Sequence, residues 1–222
     1  MNAFATELLL WVKGPGFTIA VIILMLGLSI RLMEIFGMKA PDKLVYSQSN
    51  RQSGSGVQTI FRRFLIPKGM LSRAPGIYLA GILFHIGYAV VFFLFEPHIA
   101  LLNNLTGLNW QGLPNSVIDF VAVMTLFSMI VVLVCRMGRR AMRFLSDLED
   151  YLVWLLTFLP LLTGFVAFRH VLLPYTWALA LHLLSVELLM IAIPFTKLMH
   201  TVTAFSSRWY NGDIYSRKGV MS

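Results

Sequence analysis

The sequence has 222 residues, of which 58% are hydrophobic and only 13% are charged. Soluble domains are about 45–50% apolar and about 25% charged, so this composition excludes an ordinary soluble domain and predicts an all-α integral membrane protein. The formal net charge is +8, but the basic residues lie between apolar runs. That arrangement is typical of membrane topology, and we expect no nucleic acid as a partner.

Five apolar stretches are long enough to cross a bilayer as helices, which takes about 20 residues each. In chain order they are predicted at about 17–37, 75–95, 116–135, 151–168 and 175–199 of a single domain, residues 1–222. Between the first two stretches lies a basic connection, 38–74. Its polar, glycine-rich segment Ser47–Gly56 predicts a loop, and residues 60–66 predict a short interfacial helix. A polar tail, 201–222, follows the fifth stretch.

The charges of the connections predict the orientation of the bundle. Most lysines and arginines lie in the first connection, in the connection between the third and fourth stretches, and in the tail. Lys13 and Arg169 lie on the opposite side. Because positive loops stay in the cytoplasm, we expect the N-terminus outside and the C-terminus in the cytoplasm. This topology requires an odd number of helices, and the expected location is the cytoplasmic membrane of a prokaryote.

Histidines inside apolar stretches are costly and therefore indicate function. His182 and His200 lie on the fifth stretch, 18 residues apart. On a straight helix this is five turns and about 27 Å, with both rings on one face. One helix would then present one imidazole near each membrane surface. Two haems stacked across a bilayer need this arrangement.

A low-spin haem takes a second axial ligand from another helix. His85 lies midway along the second stretch, and His98 lies just beyond its outer end. Because the second and fifth helices run in opposite directions, the predicted pairs are His98 with His182 on the outer side and His85 with His200 on the inner side.

The ligand of the outer haem is open at this stage. His85 and His98 are 13 residues apart, which is about 220° of turn, so they do not share a face of a straight helix. Pro97 can end or bend the helix before His98. His170, in the outer connection between the fourth and fifth stretches, is the alternative ligand.

Two segments resemble a known family. The fifth stretch reads LHLLSVELLMIAIPFTKLMH from Leu181 to His200, and the second contains FHIGY from Phe84 to Tyr88. Both are similar to helices of the gamma subunit of respiratory nitrate reductase, a dihaem cytochrome b with five membrane helices. The shared features are the leucine–histidine start, the proline–phenylalanine–hydroxyl–basic sequence and a second histidine at the same spacing.

The resemblance implies two b haems, with His85, His182 and His200 among their axial ligands. The family has its other ligand ten residues after the first, where this sequence has Phe95, which cannot bind iron; His98 is the expected replacement. The chain thus resembles a relative of that subunit, of the kind found with sulfite-reduction-associated and heterodisulfide reductase membrane complexes. The implied partner is a cytoplasmic iron–sulfur subunit, similar to that of heterodisulfide reductase or to the nitrate reductase beta subunit.

The expected function is electron transfer between menaquinone or ubiquinone and that partner, as a quinol-oxidising or quinone-reducing subunit of an oxidoreductase complex. Glu96, Arg169 and His170 are the polar groups near the outer haem that a quinone could contact. Arg169 is also a candidate partner of a haem propionate or an interfacial arginine beside membrane lipid. Two alternatives are a haem-free anchor or proton-coupled transporter, and a monohaem anchor that holds only the His85–His200 haem.

Overall fold

The computed structural model describes residues 3–37, 55–63, 69 and 74–217. All regular structure in these ranges is helical, which confirms the all-α prediction. In chain order the helices are α1 (Ala3–Gly37), α2 (Ser55–Arg62), α3 (Pro75–Leu94), α4 (Glu96–Thr106), α5 (Asn115–Gly138), α6 (Arg140–Phe144), α7 (Leu148–Arg169), α8 (Tyr175–Ala192) and α9 (His200–Arg217).

Five of these segments are long and apolar enough to cross a membrane: α1, α3, α5, α7, and α8 with its extension to Phe195. The chain is therefore a multi-pass membrane protein, as predicted. The bounds of α3, α5 and α7 agree closely with the predicted stretches because each begins at a proline or a polar cap. Pro75 opens α3, Pro114 precedes α5, and the Asp147 side chain caps α7.

The first spanning helix is longer than predicted. It was expected to begin near residue 17, but it starts at Ala3 and passes through a wider π-helical turn at Val12–Gly16. Pro15 lies inside this turn. Because proline lacks the N–H that an α-helix needs, the π turn lets the helix continue with locally shifted hydrogen bonds.

The fifth stretch is not one straight helix, so the prediction of a continuous helix at 175–199 is wrong. After α8 the chain forms a 3₁₀ turn at Ile193–Phe195, becomes extended at Thr196 (φ −127°, ψ 178°) and forms a second 3₁₀ turn at Lys197–Met199. Pro194 removes a backbone donor inside this segment. The assumption that His182 and His200 share one face of a straight helix therefore fails.

The predicted tail is also helical, as α9, and it packs against α2. A Cβ added to Gly56 would lie 2.6 Å from Trp209 Cδ1, so the two helices approach closely at this glycine. The predicted loop Ser47–Gly56 lies outside the described residues up to residue 54, and its last two residues begin α2. The short helix predicted at 60–66 is instead Ser55–Arg62, and residues 64–66 lie outside the described part.

The spanning helices pack in the order α3, α5, α7, α8, α1. Glycines permit the closest approaches. A Cβ on Gly87 of α3 would collide with the Thr125 hydroxyl of α5, and a Cβ on Gly27 of α1 would lie 2.6 Å from Pro194 Cγ. Among the described helices, α3 and α8 are not a closely packed pair. The two helices that carry His85 and His182 are thus more widely separated than the packed neighbours.

Candidate functional site

The pair predicted to lie on the inner side, called the inner pair below, consists of His85 on α3 and His200 at the start of α9. Their ring centres lie 6.4 Å apart with an angle of 68° between the planes. His85 Nδ1 donates to the carbonyl oxygen of Gly81 at 2.7 Å, and His200 Nδ1 donates to that of Lys197 at 2.6 Å. Since a carbonyl oxygen only accepts, both rings carry a proton on Nδ1, and in a neutral imidazole this leaves the lone pair on Nε2.

A break between α3 and α4 turns His98 toward the centre of the bundle. Helix α3 ends at Leu94, Phe95 is extended (φ −90°, ψ 126°), and α4 begins with Glu96 and Pro97. His98 lies in the first turn of α4, and its Nδ1 donates back to the carbonyl oxygen of Val91 at 3.0 Å. The break removes the objection that a straight helix would point His85 and His98 in different directions.

The outer pair is formed by His98 and His182 of α8. Their ring centres lie 6.3 Å apart, and the planes are 24° from parallel. His182 Nδ1 donates to the carbonyl oxygen of Pro160 in α7 at 3.0 Å. As in the inner pair, both Nδ1 atoms are engaged and both Nε2 lone pairs stay available.

The distances in the two pairs fit an iron atom between each pair of rings. Metal–imidazole nitrogen bonds are about 2 Å long, and a ring centre lies about 1.1 Å beyond its nitrogen, so two axial imidazoles have centres about 6.3 Å apart. The observed values are 6.3 and 6.4 Å. Orientation of a ligand ring by a backbone carbonyl on its other nitrogen is usual at metal sites. The residues present therefore fit two bis-histidine haems.

The ring of His182 lies against a glycine of the neighbouring helix. A Cβ added to Gly164 of α7 would lie 3.0 Å from His182 Cε1. The Thr163 hydroxyl lies 3.4 Å from His182 Nδ1 and 3.0 Å from the Ser185 hydroxyl. The fourth and fifth spanning helices thus hold this ring with a small residue on one side and hydroxyl groups beside its Nδ1.

Aromatic rings surround His98. Phe92 and Phe95 lie with ring centres 5.8 and 5.2 Å from it, and Phe95 packs edge-on against Phe168 of α7 at 4.8 Å. Burial lowers the pKa of His98, although its hydrogen bonds to backbone carbonyls act in the opposite direction. The imidazole is therefore neutral at pH 7, as an iron ligand must be. Phe95, where the resembled family has a ligand, instead packs against the histidine that takes its place.

An acidic cluster at the start of α7 holds the segment that orients His200. The backbone N–H of Lys197 donates to Glu149 at 2.7 Å, and its Nζ lies 2.8 Å from Asp147 and 3.1 Å from Asp150. The hydrogen bond with Lys197 lowers the pKa of Asp147 and raises that of Lys197. Sequence reasoning missed this contact. The run DLED at 147–150 signals only a helix cap, and Lys197 lies far along the chain.

The other predicted site residues have separate partners. Arg169 Nη1 contacts Asp119 Oδ2 of α5 at 3.2 Å. His170 ends α7 in the left-handed conformation (φ 54°) and stacks on Tyr175 at 4.9 Å. The ring that faces His182 is thus that of His98, while His170 forms part of the helix end.

The remaining outer candidate, Glu96, begins α4. Its carboxylate lies beside the loop before α5, where a Cβ on Gly112 would be 2.6 Å from Oε2. Within residues 3–37, 55–63, 69 and 74–217, no group of three or more His, Cys, Asp or Glu side chains could hold a metal ion. A haem iron needs only two axial ligands from the protein, so the two histidine pairs lie outside that criterion.

Comparison with known proteins identifies a full-length relative. A protein of Nitratidesulfovibrio vulgaris (strain Hildenborough) is 31% identical over 224 residues, which cover 98% of this chain and 95% of the relative. The chain therefore belongs to the same family as that protein, whose name carries no activity. No family model matches the sequence, and no solved structure matches it.

Proposed function

We propose that this chain is a dihaem b-type cytochrome, the membrane subunit of a respiratory complex. It would transfer electrons between the menaquinone or ubiquinone pool and a cytoplasmic iron–sulfur partner. One observation carries the proposal: two histidine pairs, far apart in sequence, each have ring centres at the separation that an iron atom between them requires. A helix bundle that holds no cofactor would not need two histidine pairs with this separation between ring centres.

In this proposal His98 and His182 hold the outer haem, and His85 and His200 hold the inner haem. The haems supply one-electron redox chemistry when bound. The protein contributes the tautomer and orientation of each ring through four backbone carbonyls. Arg169 has a side chain that is 55% exposed beside Asp119, and it is proposed to contact a haem propionate of the outer site.

The two histidine pairs also suggest where the iron–sulfur subunit and the quinone would bind. The positive connections predict that the inner pair lies on the cytoplasmic side. The iron–sulfur subunit would dock there, and we expect it to be similar to that of heterodisulfide reductase or to the nitrate reductase beta subunit. A quinone at the outer haem would contact Glu96, Arg169 or His170. Reduction potentials decide whether quinol is oxidised or quinone is reduced, and both directions use the same residues.

A second candidate function is a haem-free, proton-coupled transporter. Glu187 of α8 is only 3% exposed, and within the described part of the chain its Oε1 has no hydrogen-bond partner. Its other oxygen lies 3.0 Å from the position of a Cβ on Gly16, in the π-helical turn of α1. Buried acids beside interrupted helices also occur in transporters, so this contact favours the alternative.

Haem stoichiometry separates the candidates. We would purify the chain in detergent and measure b haem per protein by pyridine haemochrome, for the wild type and for the variants His85→Leu and His182→Leu. The proposal predicts two haems in the wild type and one in each variant. One haem in the wild type, lost only in His85→Leu, would indicate the monohaem anchor. No haem in folded protein, expressed with an adequate haem supply, would favour the transporter.

A further inference from the structure

A groove lies at the inner end of α1, beside the break that follows α8. Its volume is about 790 Å³, within the range of about 300–1,000 Å³ that is usual for small-molecule sites. Arg31, Met33 and Glu34 of α1 line one side, and Pro194, Phe195 and Met199 of the break line the other. Met199 immediately precedes His200, so the groove adjoins the inner histidine pair.

The polar groups of the groove contact each other and the break after α8. Arg31 Nε donates to the carbonyl oxygen of Pro194 at 3.1 Å, and Arg31 Nη1 lies 2.8 Å from Glu34 Oε2. These two bonds engage two of the five guanidinium donors. The groove therefore presents a positioned cationic donor next to a carboxylate acceptor.

Apart from the Thr196 hydroxyl, the rest of the lining is apolar. Met33 is 71% exposed and Phe195 is 61% exposed, at the ends of two spanning helices where the hydrocarbon meets the headgroup region. A ligand here needs an apolar body and an oxygen-bearing head. The Phe195 ring adds a flat surface against which a planar ring can stack.

We infer that this groove binds a quinone headgroup at the inner haem, with Arg31 and Glu34 as its polar contacts. This inference rests on the proposed function and adds a quinone site to it on the inner side. A quinone needs one donor and a quinol one acceptor, which Arg31 and Glu34 supply together. A phospholipid phosphate fits less well, because Glu34 already neutralises Arg31 and repels an anion.

The chemistry at the site balances in either direction. Oxidation of one quinol to quinone releases two protons and two electrons. The Glu34 carboxylate accepts a hydroxyl proton and returns it to water at the membrane surface, once for each proton. The two electrons would pass one at a time to the ferric b haem of the proposed function, and the iron–sulfur partner would reoxidise that haem after each transfer. Reduction of a quinone reverses each transfer.

A photolabelling experiment tests the inference. Purified full-length protein would be irradiated with an azido-naphthoquinone and the labelled peptides mapped, with haem content measured in the same samples. We expect label on peptides that contain residues 31–37 or 193–199. Met33→Trp, which fills the groove, and Glu34→Gln, which removes a charge-assisted hydrogen bond, should each weaken quinone binding about tenfold. Glu7→Gln, on the same helix but away from the groove, is the matched control and should bind as the wild type does.

The outcomes separate the two claims. Label only near Glu96, Arg169 and His170, in protein that retains two haems, overturns the inner site and leaves the dihaem proposal intact. Loss of the groove label on addition of phosphatidylglycerol vesicles, but not of phosphatidylcholine vesicles, identifies an anionic lipid site and also overturns it. A wild-type sample without haem overturns the proposed function and this inference with it. Groove label that Met33→Trp and Glu34→Gln reduce, with both haems present, supports the inference.

Discussion

The two histidine pairs differ in the angle between their rings, and this difference predicts two distinct magnetic signals. The planes of His98 and His182 are 24° apart, and those of His85 and His200 are 68° apart. Nearly parallel imidazoles act on the same iron d orbital and split it from its neighbour, whereas nearly perpendicular ones leave the two orbitals close in energy. We therefore expect a rhombic low-spin ferric EPR spectrum from the outer haem and a highly anisotropic one from the inner haem.

The variant His98→Leu separates the two signals. Leucine keeps an apolar side chain in the first turn of α4, where phenylalanine rings surround the imidazole, but it cannot bind iron. Removing one of the two axial ligands should reduce the haem content from two per chain to one. The rhombic signal should disappear, and the highly anisotropic signal of the His85–His200 pair should remain unchanged.

The matched control is His170→Leu, because the structure stacks His170 on Tyr175 at a helix end rather than against His182. This variant should retain two haems and both signals. The measurements are pyridine haemochrome and low-temperature EPR on the same purified samples. If His170→Leu lost the rhombic signal while His98→Leu kept it, the assignment of the outer pair would be refuted.

Three further predictions concern side chains around the pairs. Gly164→Val places a branched side chain where even a Cβ would lie 3.0 Å from the His182 ring. It should cost about 1–3 kcal/mol of outer-haem affinity, measured by haem titration, and an unchanged affinity would contradict this packing. Lys197→Met removes the ion pairs that hold the segment before His200 at the start of α7, so it should shift the EPR signal of the inner haem. Lys13→Met should leave that signal unaltered. Because burial lowers the pKa of His98, a proton competes with iron for this ring only below the usual imidazole pKa of about 6.5, so outer-haem occupancy should hold from pH 8 down to that value and decline only below it. Spectra that lose the outer haem already above pH 7 would contradict this.

The spanning helices could be predicted because the bilayer dictates them. A run of about 20 apolar residues has few other uses, and the ends of α3, α5 and α7 are marked by proline or by a capping aspartate. The extension of α1 to Ala3 was not predicted. Pro15 is a residue that usually marks the start of a helix and not its interior. A π-helical turn accommodates this proline inside the helix instead.

For the histidine pairs, the sequence indicates which rings meet but not how the chain bends to bring them together. Their partners follow from the direction of the helices, and the structure brings the same rings together, with centres 6.3 and 6.4 Å apart. The prediction from helical phase was wrong for the fifth stretch, which it assumed to be straight where Thr196 interrupts it. For the second stretch the sequence left a bend at Pro97 open, and the structure has an interruption at Phe95. Both interruptions adjoin prolines, Pro97 and Pro194, so the signal was present. The angle of each bend depends on packing that a linear pattern does not contain.

Other parts of the site depend on contacts between residues distant in the chain. The approach of Lys197 to the start of α7 requires the break after α8, and the bond from Arg31 to the Pro194 carbonyl requires the same break. The packing of α2 against α9 depends on Gly56 meeting Trp209, in segments whose polar composition predicted a loop and a tail. Local propensity does not report such long-range contacts.

The most direct test of the central claim is a count of bis-imidazole haems in the wild-type protein. Near-infrared magnetic circular dichroism of the oxidised, purified chain identifies the axial ligands of each low-spin ferric haem, and pyridine haemochrome gives the total. The proposed function predicts two b haems per chain, each with two imidazole ligands. A single haem, a haem with any other axial ligand, or folded protein that binds no haem would contradict it.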